Sequence, residues 1–89
     1  MHSDIAHEPL VFVDLETTGA NFANDRIVEI GIVQVDPNGA REWSSLVNPG
    51  IPIPPFITGL TGINSGMVAD APSFEQLAPR ILDKLRGRL

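Results

Sequence analysis

Two acidic residues, Asp14 and Glu16, stand two positions apart in an otherwise apolar segment. In a β-strand, side chains at i and i+2 lie on the same face, so both carboxylates would be presented together while Leu15 packs on the other face. Carboxylate oxygens are ligands that suit Mg²⁺ or Mn²⁺ rather than zinc. The Thr17-Thr18-Gly19 sequence that follows would let a ligand approach the backbone closely at the glycine. The pair is therefore a candidate metal site.

Such a pair of acids is typical of phosphodiester chemistry. Two divalent cations about 4 Å apart can stabilise the attacking and leaving oxygens of the reaction, and one of them can generate hydroxide from water. In that arrangement Asp14 would bridge both ions and Glu16 would hold one. Taken alone, however, an Asp-x-Glu tripeptide at the end of a strand is more often a solvated edge than a metal site. The surrounding sequence has to decide between the two.

The elements expected to position these acids are three strands and a helix. Runs of apolar and β-branched residues predict strands over 10–16 and 26–36, and a hairpin after the second strand predicts a third over about 41–47. The turn sequence of 36–39, Asp-Pro-Asn-Gly, predicts a hairpin between the second and third strands. Four of the eight prolines lie in 48–55, which predicts an extended connection, since proline lacks the backbone donor that a helix interior or a central strand needs.

The C-terminal third predicts helical structure. Asn64 can cap a short helical turn through Met67. Ser73 and Gln76 form a capping box, and apolar residues follow at helical spacing, namely Phe74, Leu77, Ala78, Ile81, Leu82 and Leu85. Pro79 is expected to kink this helix without breaking it, and Gly87 to end it. One helix covers only one face of a three-stranded meander, so the other apolar face requires more chain or another molecule.

Length and composition limit the function further. The chain has 89 residues, no cysteine, 43% hydrophobic residues and a net charge of −5. It therefore holds one small domain or part of one, and disulfides, thiolate zinc sites and a cysteine nucleophile are excluded. We expect a flexible arm over 1–9, a domain portion over 10–89, no membrane span and a cytoplasmic location. Four of the six basic residues fall in the last ten positions, namely Arg80, Lys84, Arg86 and Arg88.

Longer motifs surround the acid pair. The octapeptide over 12–19, Phe-Val-Asp-Leu-Glu-Thr-Thr-Gly, is followed after six residues by Arg-Ile-Val-Glu-Ile-Gly over 26–31. Val-Asn-Pro over 47–49, Leu-Thr-Gly-Ile over 60–63 and Ala-Pro-Ser-Phe over 71–74 come next. This ordered set resembles the DnaQ-like family of 3′→5′ exonucleases, which includes the epsilon proofreading subunit of DNA polymerase III and ribonuclease T. The resemblance runs from about residue 10 to residue 85.

The resemblance implies an α/β architecture with an RNase H-like fold and a mixed sheet, of which this chain would hold the N-terminal part, a three-stranded antiparallel meander followed by a helix. It implies two-metal removal of nucleotides from single-stranded DNA or RNA 3′ ends, and a DNA polymerase subunit as an expected partner. Asp14 and Glu16 would be the catalytic metal ligands for Mg²⁺ or Mn²⁺. Thr17 and Thr18 would lie along the terminal nucleotide. Thr61 would face the substrate where the family often has histidine.

The later motifs of the family, with a further Asp, a general-base His and a final Asp, do not occur in these residues. We therefore expect the chain alone to be inactive and a longer parent protein to be the enzyme. Two alternatives stay open. One is a non-catalytic nucleic-acid-binding or assembly module that keeps the motif as structure, and the other is a site completed by a partner chain.

Other conspicuous residues are expected to be structural. For Glu29, a carboxylate hydrogen-bonded to loop backbone is expected rather than a third metal ligand, because a buried acid needs partners. His2 and His7 precede the first strand and receive no catalytic role. Trp43 and Phe56 are expected to pack in the core or at its rim rather than to stack on bases.

Overall fold

A computed structural model of the chain describes residues 10–21 and 23–86. Its described part contains one three-stranded antiparallel sheet in the order β1-β2-β3, followed by three helices. The elements are β1 (Leu10–Thr17), β2 (Ile27–Asp36), β3 (Gly39–Leu46), α1 (Pro55–Thr61), α2 (Ser65–Val68) and α3 (Phe74–Leu85). The three strands predicted from the sequence are confirmed to within two residues at each end, and His2 and His7 lie outside the described residues.

The register of β1 against β2 sets the environment of the acids. Asp14 is the partner of Gly31, and Glu16 is the partner of Glu29. After Glu16 the register shifts, because Thr17 pairs with Ile27 and leaves one additional residue on β2. Such a β-bulge bends the strand and redirects the side chains beside it. The regular pairing of β1 with β2 therefore ends at the second acid.

Helix α3 covers one face of the sheet. Ile30 and Ile32 of β2 form a buried cluster with Leu77 and Ile81 of α3, to which Val47 also belongs. Gln34 extends this contact, because its side-chain amide donates a hydrogen bond of 2.9 Å to the carbonyl oxygen of Lys84. A second buried cluster joins β2 to the segment that carries α1 and α2, and its members are Val28, Ile53, Ile63 and Val68. These contacts hold β2 as the central strand.

The helix caps follow the sequence. The Asn64 side chain accepts a hydrogen bond from the Met67 amide at the start of α2. Ser73 and Gln76 form the expected capping box at the start of α3. Helix α3 continues through Pro79 as one element, so proline does not break it. The expected stop at Gly87 lies outside the described residues.

The prediction of an extended connection over 48–55 holds except at its end, where helix α1 was not predicted. Pro55 begins this helix, in the first turn, where a missing backbone donor costs nothing. Gly62 ends it with a positive φ of 78° that favours glycine, and its amide bonds to the Thr58 carbonyl oxygen. No helix among the described residues is long and apolar enough to cross a membrane.

Candidate metal-binding site

Asp14 and Glu16 lie on the same face of β1, as their spacing predicts. Directly opposite residues of an antiparallel pair share a face, so Gly31 and Glu29 of β2 lie beside them. Asp14 is exposed and Glu16 is half-buried. Within the described part of the chain, neither carboxylate has a hydrogen bond or an ion pair. Both therefore keep their oxygen lone pairs available for a ligand.

The absence of a side chain on Gly31 leaves space next to Asp14. A Cβ built on this glycine would have the Asp14 carbonyl oxygen, at 4.0 Å, as its one neighbour. An open concavity of about 390 Å³ extends from here toward β3, and its lining includes Phe12, Asp14, Glu42 and Ser44. A phosphate group with its hydration could therefore approach the Asp14 carboxylate from this face.

These donors fit a divalent cation of the magnesium type. Mg²⁺ is usually held by one or two carboxylates together with water and substrate phosphates, and Asp14 and Glu16 supply two such carboxylates without competing partners. In the described ranges, no three His, Cys, Asp or Glu residues lie close enough to form a complete protein cage. The pair therefore constitutes a partial site that needs oxygen ligands from elsewhere.

The turn after β1 is closed by threonine hydroxyls. Thr17 Oγ1 donates to the carbonyl oxygen of Gly19 at 2.6 Å. Thr18 is 2% exposed, and its Oγ1 donates to Asp25 Oδ1 at 2.8 Å while accepting a hydrogen bond from the Arg26 amide at 2.9 Å. The Thr18 amide also donates to the Arg26 carbonyl oxygen at 2.8 Å. The Thr18 side chain therefore holds the loop together, and a substrate contact here would involve exposed parts of the turn.

Asp25 is a structural carboxylate that the sequence did not single out. Its Oδ2 accepts a hydrogen bond of 2.8 Å from the Asn21 amide, and its Oδ1 accepts the one from Thr18. These bonds, that of Asn21 first, hold the pKa of the Asp25 carboxyl below its usual range. An acid in a polar loop gives little sequence signal of such a role. The role requires the loop to fold back on itself, and the loop composition alone does not indicate this.

Glu29 does not have the partners expected for it. None of the hydrogen bonds within the described residues involves its carboxylate, and Asp25 takes the place of the loop-bonded acid. Glu29 instead stands opposite Glu16, and both side chains are half-buried. The expectation of a carboxylate hydrogen-bonded to loop backbone is therefore wrong for Glu29, and the acid with such bonds is Asp25, which was not predicted.

Thr61, the third candidate substrate contact, is the last residue of α1. Its hydroxyl donates to the Ile57 carbonyl oxygen at 2.9 Å and accepts a hydrogen bond of 3.1 Å from the Ile63 amide. The hydroxyl proton is thus used inside the helix end. Thr61 has no hydrogen bond to Asp14 or Glu16 among the described residues, so its role as a substrate contact stays a prediction.

The two isolated aromatic residues differ in their environments. Trp43 is half-buried against the main core, with the Lys84 ammonium 5.9 Å from its ring centroid. Phe56 is 73% exposed on α1. The expectation of core packing is confirmed for Trp43. Phe56 is not part of the core.

Comparison with known proteins supports the sequence resemblance. Residues 11–89 match the RNase T family, which is described as exonuclease. The chain is 45% identical over 78 residues to the PolC-type DNA polymerase III of Caldanaerobacter subterraneus, covering 86% of this chain and 6% of that protein. It is 37% identical over 86 residues to the 3′-5′ exonuclease DinG of Staphylococcus haemolyticus, covering 96% of this chain and 10% of that protein.

A solved structure of exonuclease X in complex with 5′ overhanging duplex DNA is similar to the described fold. The TM-score is 0.70 at 35% sequence identity, with 80% of this chain and 42% of that chain covered. The predicted architecture, the first sheet strands and helix of an RNase H-like fold, is thereby confirmed. The chain spans a tenth or less of the length of the curated relatives it matches and less than half of exonuclease X.

Proposed function

The chain belongs to the DnaQ-like exonuclease family, and we propose that it supplies two metal ligands, Asp14 and Glu16, to a 3′→5′ exonuclease. The observation that carries the proposal is the pair of partner-free carboxylates on one face of β1 next to Gly31. Neither carboxylate takes part in hydrogen bonds of the kind that hold Asp25, so both are available for a ligand.

Asp14 and Glu16 would hold Mg²⁺ or Mn²⁺, two ions in the complete site. Such cations supply charge that stabilises the attacking and leaving oxygens of phosphodiester hydrolysis and lower the pKa of bound water. Asp14, the more exposed acid, faces the open concavity and would meet the scissile phosphate group. Glu16, which is half-buried at the bulge, would fix the position of the metal ion relative to the following turn.

The proposed substrate is the 3′ end of single-stranded DNA or RNA. The exonuclease X complex with 5′ overhanging duplex DNA supports a nucleic-acid substrate for this fold. The proposed contacts are the Thr17-Thr18-Gly19 turn, which would lie along the terminal nucleotide, and Thr61. For Thr61 one lone pair of the hydroxyl oxygen is left for such a contact, since the proton is donated to Ile57 and the oxygen also accepts the Ile63 amide.

A complete two-metal site needs further acids and a proton acceptor for the attacking water, and the described residues provide neither. The activity is therefore proposed for the longer protein that contains this sequence. We propose a polymerase subunit as its partner and proofreading as its role. The similarity to a PolC-type DNA polymerase III supports this partner.

The test is Mg²⁺-dependent release of nucleotides by the full-length protein from a 3′-labelled oligonucleotide. Asp14→Asn and Glu16→Gln are each expected to lower kcat by at least about 100-fold, because the cations they hold supply several kcal/mol of transition-state stabilisation. Asp70→Asn is the matched control, since Asp70 is an exposed acid that follows α2 and is not part of the proposed site. Activity that survives alanine at Asp14 or Glu16 would favour the non-catalytic nucleic-acid-binding or assembly module.

A further inference from the structure

We propose that Asp25 is a positioning residue for the exonuclease site, because its carboxylate fixes the Thr17-Thr18-Gly19 turn that directly follows the metal ligands. The inference rests on the proposed function, since positioning matters only if this turn meets the substrate. Asp25 would not itself touch the metal or the reacting atoms. It would act through the hydrogen bonds of the loop, through its contact with Gly19 and through the bulge.

The carboxylate joins three parts of the β1–β2 loop. One oxygen accepts the proton of the Thr18 hydroxyl, and the other accepts the Asn21 amide proton, each at 2.8 Å. The Thr18 hydroxyl oxygen in turn accepts a hydrogen bond from the Arg26 amide. A hydrogen bond to a charged acceptor is stronger than a neutral one, so an ionised Asp25 defines the loop path more firmly than a neutral side chain would.

Gly19 packs directly against this carboxylate. A Cβ on Gly19 would lie 2.5 Å from Asp25 Oδ2 and 2.9 Å from Asp25 Cγ, distances that real side chains do not reach. A side chain at position 19 would therefore displace the Asp25 carboxylate from its hydrogen bonds with Thr18 and Asn21.

The bulge connects this loop to the metal ligands. Glu16 is the last residue before the register shift, and Thr18 bonds through its amide to the Arg26 carbonyl oxygen just beyond it. One residue, Thr17, separates the two. A displacement of the turn would therefore move backbone within two residues of a ligand carboxylate, and it would move the surface proposed to hold the terminal nucleotide.

The chain offers a matched control at the other end of β2. Asp36 accepts hydrogen bonds from the Asn38 amide at 2.8 Å and from the Arg41 guanidinium at 3.1 Å, and it closes the β2–β3 turn. Ten residues of β2 place this turn about 30 Å from the loop of Asp25. Asp36 thus makes comparable bonds in a turn that has no access to the proposed site.

The experiment measures kcat, KM for a single-stranded oligonucleotide, half-saturating Mg²⁺ and Tm in the full-length protein. Asp25→Ala is expected to raise KM about tenfold with kcat changed less than about threefold, since a turn that binds ground state and transition state alike affects KM, and one or two lost hydrogen bonds correspond to about that factor. Half-saturating Mg²⁺ should rise by a smaller factor than KM, because the displaced turn is joined to Glu16 through Thr17. Asp25→Asn, which keeps one acceptor, should give an intermediate KM.

Two further variants separate positioning from stability. Asp36→Ala is expected to lower Tm to a similar degree while leaving KM as in the unmodified protein. Gly19→Ala should raise KM as Asp25→Ala does. In the Asp25→Ala background, however, Gly19→Ala should add much less, because its clash partner is gone.

The outcomes distinguish this inference from the proposed function. If Asp25→Ala lowers Tm and leaves KM unchanged, as Asp36→Ala should, Asp25 only stabilises the fold and the inference is wrong. Additive effects of Gly19→Ala and Asp25→Ala would also overturn it. In both cases a loss of activity in Asp14→Asn would leave the proposed function intact. A full-length protein that releases no nucleotides would overturn both.

Discussion

Hydrogen bonding separates the acids of the turns from the acids on the open face of the sheet. Asp25 and Asp36 accept hydrogen bonds that close turns. Asp14 and Glu16 have no such bonds within the described residues and face an open side of the sheet. Asp14 and Glu16 both keep access to solvent, so their lack of a protein partner carries no burial cost and leaves their oxygens available for a ligand.

The pairing of Glu16 with Glu29 provides a prediction about stability. Like charges directly opposite each other in an antiparallel pair repel. Glu29→Gln is therefore expected to raise the free energy of unfolding, measured in urea with EDTA, by about 0.2–1 kcal/mol at low salt. The gain should shrink as ionic strength rises, because salt screens the repulsion.

Glu42→Gln is the control for this measurement. Glu42 lies on the same face, but its partner on β2 is Val33, so no like-charge pair is relieved. The unfolding free energy of the Glu42→Gln variant should remain within about 0.5 kcal/mol of that of the unmodified protein, as is usual for surface substitutions. A destabilised Glu29→Gln would mean that this carboxylate has a stabilising partner after all.

The two metal ligands could be predicted from the sequence, whereas Asp25 could not. The spacing of Asp14 and Glu16 follows the two-residue period of a strand, which depends only on local geometry. The role of Asp25 depends on a contact across seven positions with Thr18, in a loop whose path no periodicity describes. Its effect is visible in the sequence only through Gly19, and a glycine in a turn more commonly indicates a positive φ than a close contact.

Among the elements, β2 is bounded by two turns that each require an ionised aspartate. The pKa of Asp25 is lowered by the hydrogen bonds from Asn21 and Thr18, and that of Asp36 by the bond from Asn38 and then by Arg41. A carboxyl whose folded pKa lies below its unfolded value stabilises the fold fully above the unfolded value of 3.8. That contribution is lost as the pH falls through the lower, folded pKa.

The corresponding prediction is a loss of stability on acidification that depends on these two acids. The free energy of unfolding should fall as the pH is lowered below about 4, and the Asp25→Asn/Asp36→Asn double variant should show a smaller fall. Urea denaturation at a series of pH values measures this. If the free energy of unfolding falls equally with pH in the unmodified protein and in the double variant, the turn carboxylates do not contribute to acid sensitivity.

The elements themselves can be predicted where a period or a cap is present. The strands have a two-residue period, α3 has apolar residues at helical spacing and a capping box, and the structure confirms these elements. Helix α1 is not predicted, because it begins in a proline-rich segment, contains Gly59 and has no buried residues. It has no apolar periodicity, so only its termini, Pro55 and Gly62, mark it in the sequence.

Across the whole molecule, the described structure leaves β1 incompletely covered. In the order β1-β2-β3 this strand has a neighbour on one side only. Phe12 and Val13 point to opposite faces of the sheet and are 57% and 47% exposed. An apolar strand with an unpaired backbone edge is a template for pairing with further chain. The same strand carries the acids, so completing the sheet and completing the metal site involve one surface.

This surface gives a prediction for the isolated 89-residue chain, which we expect to self-associate in a concentration-dependent manner in sedimentation velocity. Val13→Lys should shift the chain toward the monomer, because a lysine on an edge strand opposes pairing. Leu60→Lys is the control, since Leu60 is a comparably exposed apolar residue on α1, and it should leave the association unchanged. A chain that sediments as a monomer at all concentrations would contradict the prediction, and it would also exclude a site completed by a second copy of this chain.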